Sequence, residues 1–331
     1  MKAAVLDQSD FSMHIEEVAI PELKADEVLI KIKAASLNHH ELWPMKEKNL
    51  HSNFPIIPGS DGAGDVVDVG AECDKSWLHK KVVINPSLNW GGSRHIYGNS
   101  FEILGYPKNG TFAEYVAIEE KYVYEIPSHL TYEEAATVPL AGLTAYRALF
   151  TKGQLNRKSK ILITGIGGGV AQWALFFALK MDVQVYVTSG QDDKIQKAIM
   201  AGATGGANYK NENWKKELTE LAGDFDLILD GAAGHGFEIL LHLVKAGGKI
   251  INFGRTAGFI PAFNPKLLFL KQVNIIGTTM GSDDEFRSML YYVLYHRLHP
   301  VIDSVFQFDQ VQTAFERMKN AEHFGKIVLR M

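Results

Sequence analysis

Polar and apolar positions change rhythm along this chain near residue 160. From there, short apolar runs at 160–164, 183–188, 206–209, 225–230 and 248–253 alternate with helical patterns at 168–180, 191–202, 211–222 and 236–245. Strands separated by helices predict parallel pairing, right-handed crossovers and a doubly wound sheet that takes its ligand at the carboxyl ends of the strands. Residues 1–125 follow another rhythm: alternating strands such as Glu27–Lys33 and Asp65–Gly70, punctuated by Gly and Pro, predict a β-rich barrel. Residues 85–112, rich in Asn, Gly and Ser without a period, read as a long loop or lobe. After a strand candidate at Val273–Gly277, a helix and strand section at 283–331 either completes the sheet or returns to the first domain.

Where the rhythm changes, Lys160–Ala171 packs a short apolar strand, a glycine-saturated turn and the opening of an apolar helix into one run. Gly165, Gly167, Gly168 and Gly169 let the backbone turn tightly and approach a pyrophosphate. The N–H groups that open the following helix, from Val170 onward, offset the phosphate charge. A glycine turn also occurs in α/β proteins that bind no nucleotide. Its place between the first strand and first helix of an alternating series favours a dinucleotide site.

At 331 residues and 46% hydrophobic content the chain has material for two cores. A net charge of −4 provides no global basic footprint for nucleic acid or an anionic membrane. The opening Met1–Asp7 reaches an acid too soon for a secretory signal, and no window holds the ~18 uninterrupted apolar residues of a spanning helix. One cysteine, Cys73, excludes an intrachain disulfide and fits a reducing cytoplasm; it reads as a small structural residue.

Four segments resemble the medium-chain dehydrogenase/reductase superfamily, and its zinc-free quinone oxidoreductase branch in particular. They are Pro58–Val67, Ala135–Leu149, the glycine turn and the closing Gly325–Leu329. The resemblance spans nearly the whole chain and implies an α/β fold in which a GroES-like, β-rich catalytic domain is built from both chain ends. A Rossmann doubly wound parallel sheet is inserted between them. The bounds are expected near residues 125 and 282, giving 1–125 with 283–331 and, between them, 126–282.

Alcohol dehydrogenases of the superfamily hold a catalytic zinc by a cysteine, a histidine in Gly-His-Glu and a later cysteine or acid. Here the matching stretches read Asn38-His39-His40-Glu41 and Gly59-Ser60-Asp61, with the third position near Ala141. An amide, a hydroxyl and a methyl do not make a tetrahedral zinc set, so no metal is expected. The structural zinc would need cysteines within 85–112, which has none. A different site using His39, His40, Glu41 or Asp61 stays open.

A nicotinamide cofactor follows from the same resemblance. NAD-specific Rossmann sites place an acid about twenty residues past the glycine turn. Thr188-Ser189-Gly190 stand there instead, and Asp192 and Asp193 read as first-turn acids of the next helix. Ser189, Gly190, Lys194 and Tyr209 resemble the residues with which the quinone oxidoreductase branch grips the 2′-phosphate of NADPH, so NADP is the expected cofactor; the alternative is that Lys194 is a surface helix lysine and Tyr209 a strand-end tyrosine.

Without a Lewis acid, hydride transfer favours acceptors that delocalise negative charge: quinones, or alkenes conjugated to a carbonyl. By the resemblance, Asn38 faces nicotinamide and substrate, Thr144 lies beside the cofactor and His39 lies near its phosphates. His40 takes the place of the proton-relay hydroxyl, where a ring titrating near 6.5 could deliver a proton, or it is an ordinary hydrogen-bonded or solvent-facing histidine. Trp43 and Tyr106 either line the acceptor pocket or belong to the barrel core; Met13, Met45 and Met280 receive no role. The expected function is NADPH-dependent reduction of a quinone or α,β-unsaturated carbonyl. Two alternatives remain: a catalytically weak NADPH-binding protein with a structural, sensing or RNA-associated role, and a zinc alcohol dehydrogenase with atypical ligands. Val273–Gly277, as an apolar outer strand, predicts a homodimer.

Overall fold

A computed structural model describes residues 1–7, 12–42 and 55–331; Trp43 and Met45 lie outside the described residues. The chain opens with a hairpin, β1 (Lys2–Leu6) and β2 (Met13–Glu17). It continues through β3 (Glu27–Ser36), β4 (Asp61–Val69), β5 (Lys81–Ile84), a small pair β6 (Ser87–Leu88) and β7 (Glu102–Ile103), then β8 (Tyr115–Glu119) and β9 (Val123–Glu125). The apolar alternation of β3 explains its role. Val28, Ile30 and Ile32 are buried while Lys31 is exposed, and the strand pairs antiparallel with β4 on one side and β8 on the other.

Next come β10 (Lys160–Ile163), β11 (Gln184–Ser189), β12 (Gly205–Asn208), β13 (Phe225–Asp230), β14 (Val244–Asn252) and β15 (Asn274–Gly277). They form a six-stranded parallel sheet in the order β12-β11-β10-β13-β14-β15, the doubly wound Rossmann arrangement. Its interior strands are apolar on both faces, as parallel sheets covered by helices require. Ile161, Leu162 and Ile163 of β10 have no exposure.

The chain then passes through the helix Asp283–Tyr295 to β16 (Ile302–Gln307), the helix Val311–Lys319 and β17 (Lys326–Arg330). β17 lies between β16 and β3, with Val328 opposite Ser36, so the last section joins the first sheet.

Two compact units result: Met1–Leu143 with Gly281–Met331, and Thr144–Met280. The second crossover falls beside residue 282, whereas residues 126–143 belong to the first unit. Thr131 caps the helix Tyr132–Ala136 reciprocally with Glu134. That helix sets Ala135 and Ala136, both without exposure, against Ala34 and Ala63 of β3 and β4 and Val328 of β17. Small side chains allow the close approach. The lobe expected at 85–112 carries the β6 and β7 pair and an aromatic cluster. Trp90, 2% exposed, meets Phe101 at 5.4 Å and Tyr97 at 5.8 Å, and Tyr97 stacks on Phe101 at 4.5 Å. Tyr106 packs against the barrel core, and Cys73 is buried with its thiol 3.2 Å from the Glu27 carbonyl.

Candidate active site and cofactor turn

In the first unit the chain leaves β3 at Ser36 and tightens into a short helical turn over His39–Leu42. This turn and the start of β4 bring Asn38, Glu41, Ser60 and Asp61 together, and β17 adds Lys326. Asp61 has no exposure. Its Oδ1 accepts from Leu140 N–H at 2.8 Å, and its Oδ2 accepts from Asn38 Nδ2 at 2.9 Å, Ser36 Oγ at 3.0 Å and Lys326 Nζ at 3.2 Å. Lys326 donates in addition to the Leu37 carbonyl at 2.7 Å and to Asn38 Oδ1 at 2.5 Å. The three protons of its ammonium thus meet three acceptors.

Glu41 supports the turn from beneath. Its Oε2 accepts from Asn38 N–H at 2.5 Å and its Oε1 accepts from Ser60 N–H and Oγ at 3.0 and 2.9 Å. Burial pushes its pKa up to about 7 against the opposing pull of the Lys326 ammonium; the Asp61 carboxylate adds to the rise, and the bonds from Ser60 and Asn38 restrain it. Near neutrality Glu41 is therefore partly protonated.

His39 is exposed, its ring 5.8 Å from that of His323. The expectation that His40 titrates near 6.5 needs correction. Both its ring nitrogens are shut away from solvent, and burial pushes its pKa down to about 4. The imidazole is neutral at pH 7.

The donor set does not suit zinc. Asn38, Ser60 and Ala141, the positions expected from the resemblance, offer an amide, a hydroxyl and a methyl. The nearby carboxylates are already engaged, and an ammonium sits 3.2 Å from Asp61 Oδ2, where it would repel a divalent ion. Among the described residues, no group of three or more His, Cys, Asp or Glu side chains could hold a metal.

In the second unit the glycine turn links β10 to the helix Gly169–Ala178. Gly165 has a φ of +65°, a left-handed conformation that glycine adopts without strain. A Cβ there would meet nothing within 4 Å, and one at Gly168 would meet only the Gly165 carbonyl at 3.6 Å, so the turn is open to a close-lying phosphate. Gly168 caps the helix without any side-chain bond, which leaves the first-turn amides of Gly169 and Val170 available to an anion. This arrangement fits the pyrophosphate of a nicotinamide dinucleotide. Behind it Asp230, 2% exposed, knits the carboxyl ends of the central strands. It accepts from Thr164 Oγ1 at 2.8 Å, from the N–H groups of Ala232 and Ala233, and from Asn252 Nδ2.

Ser189 of β11 lies opposite Asn208 of β12, so Gly190 and Tyr209 emerge side by side. A Cβ on Gly190 would fall 2.8 Å from the Tyr209 hydroxyl. Lys194 lies in the first turn of the helix Asp192–Met200 and is 7% exposed, far from an ordinary surface lysine. Asp192 accepts from Asn208 Nδ2 at 3.0 Å and Asp193 pairs with Lys197 at 3.3 Å, so both acids serve that helix and its neighbouring strand. Lys210, exposed and 3.0 Å from a Cβ placed on Gly190, is a basic neighbour that sequence reasoning passed over; a second lysine directly after Tyr209 was the available signal. Thr144, 5% exposed, sits in the helix Pro139–Tyr146 at the start of this unit. The structure therefore gathers Asn38 and the histidines in one unit and the glycine turn, Ser189, Gly190, Lys194, Tyr209 and Thr144 in the other. Sequence reasoning missed Lys326, although a lone lysine heading the apolar strand Lys326–Leu329 was a signal of its own.

A barrel unit carrying polar side chains, with a Rossmann unit inserted in the chain, defines a nicotinamide-dependent oxidoreductase. Comparison with known proteins agrees. Residues 24–128 match the alcohol dehydrogenase GroES-like domain and residues 169–294 match the zinc-binding dehydrogenase domain. The chain is 34% identical to the zinc-type alcohol dehydrogenase-like protein YogA of Leptosphaeria maculans, covering 100% of this chain and 98% of that one. It is 32% identical to the 2-methylene-furan-3-one reductase of Solanum lycopersicum, over 94% of this chain and 74% of that one. A crystal structure of an NAD-dependent alcohol dehydrogenase superposes with a TM-score of 0.93 at 29% identity, each chain covered in full. The chain belongs to the medium-chain dehydrogenase/reductase superfamily, whose members act on small molecules with nicotinamide cofactors. Among the described residues no helix is long and apolar enough to cross a membrane.

Proposed function

We propose that this chain is an NADPH-dependent, zinc-independent reductase of quinones or α,β-unsaturated carbonyls. The observation that carries the reading is the Lys326 ammonium, 5% exposed in its side chain and bonded to Asn38 and Asp61 among the groups that would have to ligate zinc. A bound reduced nicotinamide would supply a hydride to an enone β-carbon or to a quinone; the negative charge would spread over the conjugated acceptor, and solvent would supply the proton that completes the reduction. A donor near the acceptor oxygen then suffices where an alkoxide would need a metal. Asn38 supplies that donor, His40 stands by as a neutral imidazole and Thr144 borders the cofactor. The turn at Gly165, Gly167, Gly168 and Gly169 with Val170 binds the pyrophosphate, with His39 near the phosphates. Ser189, Gly190, Lys194 and Tyr209 receive the 2′-phosphate. The tomato relative, whose name describes a methylene conjugated to a ketone, supports the acceptor class.

A homodimer is part of this reading, because β15 is the outer strand of its sheet and exposes Ile275. The relatives bearing zinc-type names favour a second reading, an alcohol dehydrogenase with atypical ligands. One experiment separates the two: NADPH and NADH oxidation across quinones, enones and simple aldehydes, with metal analysis of protein carrying no histidine tag. NADPH-dependent turnover of the conjugated acceptors without bound metal is expected. One tightly held zinc per chain, or brisk oxidation of an aliphatic alcohol, overturns the proposal.

A further inference from the structure

Lys326 lies within a motif that marks the family resemblance, yet the mechanism above assigns it no step. Its surroundings are unusual for a lysine, a side chain almost never fully buried unless paired. It heads β17 with 5% exposure, and its three acceptors come from the end of the adjacent β3 and the start of β4 beyond it: Leu37 O, Asn38 Oδ1 and Asp61 Oδ2. The consequence for Asn38 is definite. A carboxamide can flip end for end, and ordinarily only its partners decide which way it points. Here an ammonium, which has no acceptor, faces one end, and a carboxylate, which has no donor when ionised, faces the other. A flipped amide would set N–H against ammonium and carbonyl against carboxylate. The side chain is therefore held in one orientation, with its oxygen on Lys326 and one N–H on Asp61 at 2.9 Å. The second N–H of Nδ2 is the donor that remains, and the ammonium on the far oxygen draws charge from the amide and strengthens it.

We propose that Lys326 is a positioning residue that locks and polarises the Asn38 carboxamide, so that an internal ammonium acting through an amide takes over the electrophilic task a metal performs in zinc-dependent relatives. This rests on the reading of Asn38 as the donor to the acceptor oxygen. Lys326 takes no part in bond making: the substrate oxygen receives a hydrogen bond from Asn38, and the proton that completes the reduction comes from solvent.

A double-mutant cycle with Lys326→Met and Asn38→Ala, assayed by NADPH oxidation with a saturating quinone or enone, tests the role. Lys326→Met is expected to lower kcat about 10- to 100-fold while leaving the KM for NADPH within about twofold. In the Asn38→Ala background the same change is expected to lower kcat no further, because the group it acts through is gone. Equal losses in both backgrounds, or a loss confined to KM, would make Lys326 merely structural and overturn the proposal. Lys326→Arg, which keeps the charge, is expected to recover part of kcat; a charge-preserving variant as poor as Lys326→Met, with an unchanged melting temperature, also counts against it. The underlying reading fails separately: Asn38→Ala within about twofold of the parent, or no turnover with any conjugated acceptor, removes Asn38 from the site and Lys326 with it.

Discussion

Removing the Asp61 carboxylate should be among the most damaging single changes to the first unit. Asp61→Ala deletes an acceptor that has no exposure and serves four donors, at 2.8 Å from Leu140 N–H, 2.9 Å from Asn38, 3.0 Å from Ser36 and 3.2 Å from Lys326. The largest loss comes from Lys326. A buried charge stripped of its partner costs about 3–5 kcal/mol, because the attraction goes while the desolvation of the survivor stays. Orphaned donors such as the Leu140 N–H each add up to about 1–3 kcal/mol, though relaxation and water entry keep the sum below simple addition. A total of about 3–5 kcal/mol corresponds to a fall in melting temperature of about 6–20 °C for a unit of this size. Urea unfolding followed by circular dichroism, alongside a thermal scan, measures it. Replacing both partners at once, Asp61→Leu with Lys326→Met, should recover more than half of the loss, since an apolar pair of similar volume avoids the lone charge. An Asp61→Ala protein within about 1 kcal/mol of the parent, or a double variant less stable than Asp61→Ala, would refute the account of this cluster.

Three further outcomes are expected. Glu41, raised from 4.5 to about 7 chiefly by burial, keeps a proton in the folded state that the unfolded chain releases between those values. Its contribution to stability is therefore complete below about pH 4.5 and is lost as pH rises through 7, so the parent should lose ground to Glu41→Gln between pH 5 and pH 8 in urea midpoints; a flat or opposite difference contradicts this. Lys194→Ala should raise the KM for NADPH about 10- to 100-fold and barely affect NADH, and equal losses with both cofactors would remove Lys194 from the 2′-phosphate site. Light scattering at micromolar concentration should show a dimer, and a charged residue at Ile275, 39% exposed on β15, should shift it toward monomer; a monomeric parent refutes the edge pairing.

Much of the Rossmann unit was readable from local pattern because its interior strands are buried on both faces and so lack polar interruption. The expected run 160–164 corresponds to Lys160–Ile163, 225–230 to Phe225–Asp230, and the helix 168–180 to Gly169–Ala178. The run 248–253 found only the later part of Val244–Asn252, whose earlier residues Lys245, Ala246 and Gly247 are exposed and carry no apolar signal. The bound expected near 125 assigns the helix Tyr132–Ala136 to the inserted unit, whereas its contacts group it with the first. Its attachment depends on alanines meeting alanines across β3 and β4, and a small-to-small contact leaves no trace in hydropathy. In the candidate site, Asn38 and the glycine turn were visible through motif and spacing. The Lys326 contacts were not, because 265 residues separate it from Asp61 and no periodicity spans that distance. His40 had the right residue type for an acid, but its titration depends on solvent access, which a sequence does not carry.

The position of β17 between β16 and β3 has a consequence for biosynthesis. A ribosome emits the inserted Rossmann segment whole, so that unit has its full set of parallel strands before β17 appears. The barrel waits with an open seam beside β3 until Lys326–Arg330 emerges to fill it. The same five residues bring the ammonium, so a nascent polypeptide already able to cradle a dinucleotide still lacks the group that balances Asp61. Closure of the seam beside β3 and neutralisation of Asp61 therefore arrive in one step, with β17.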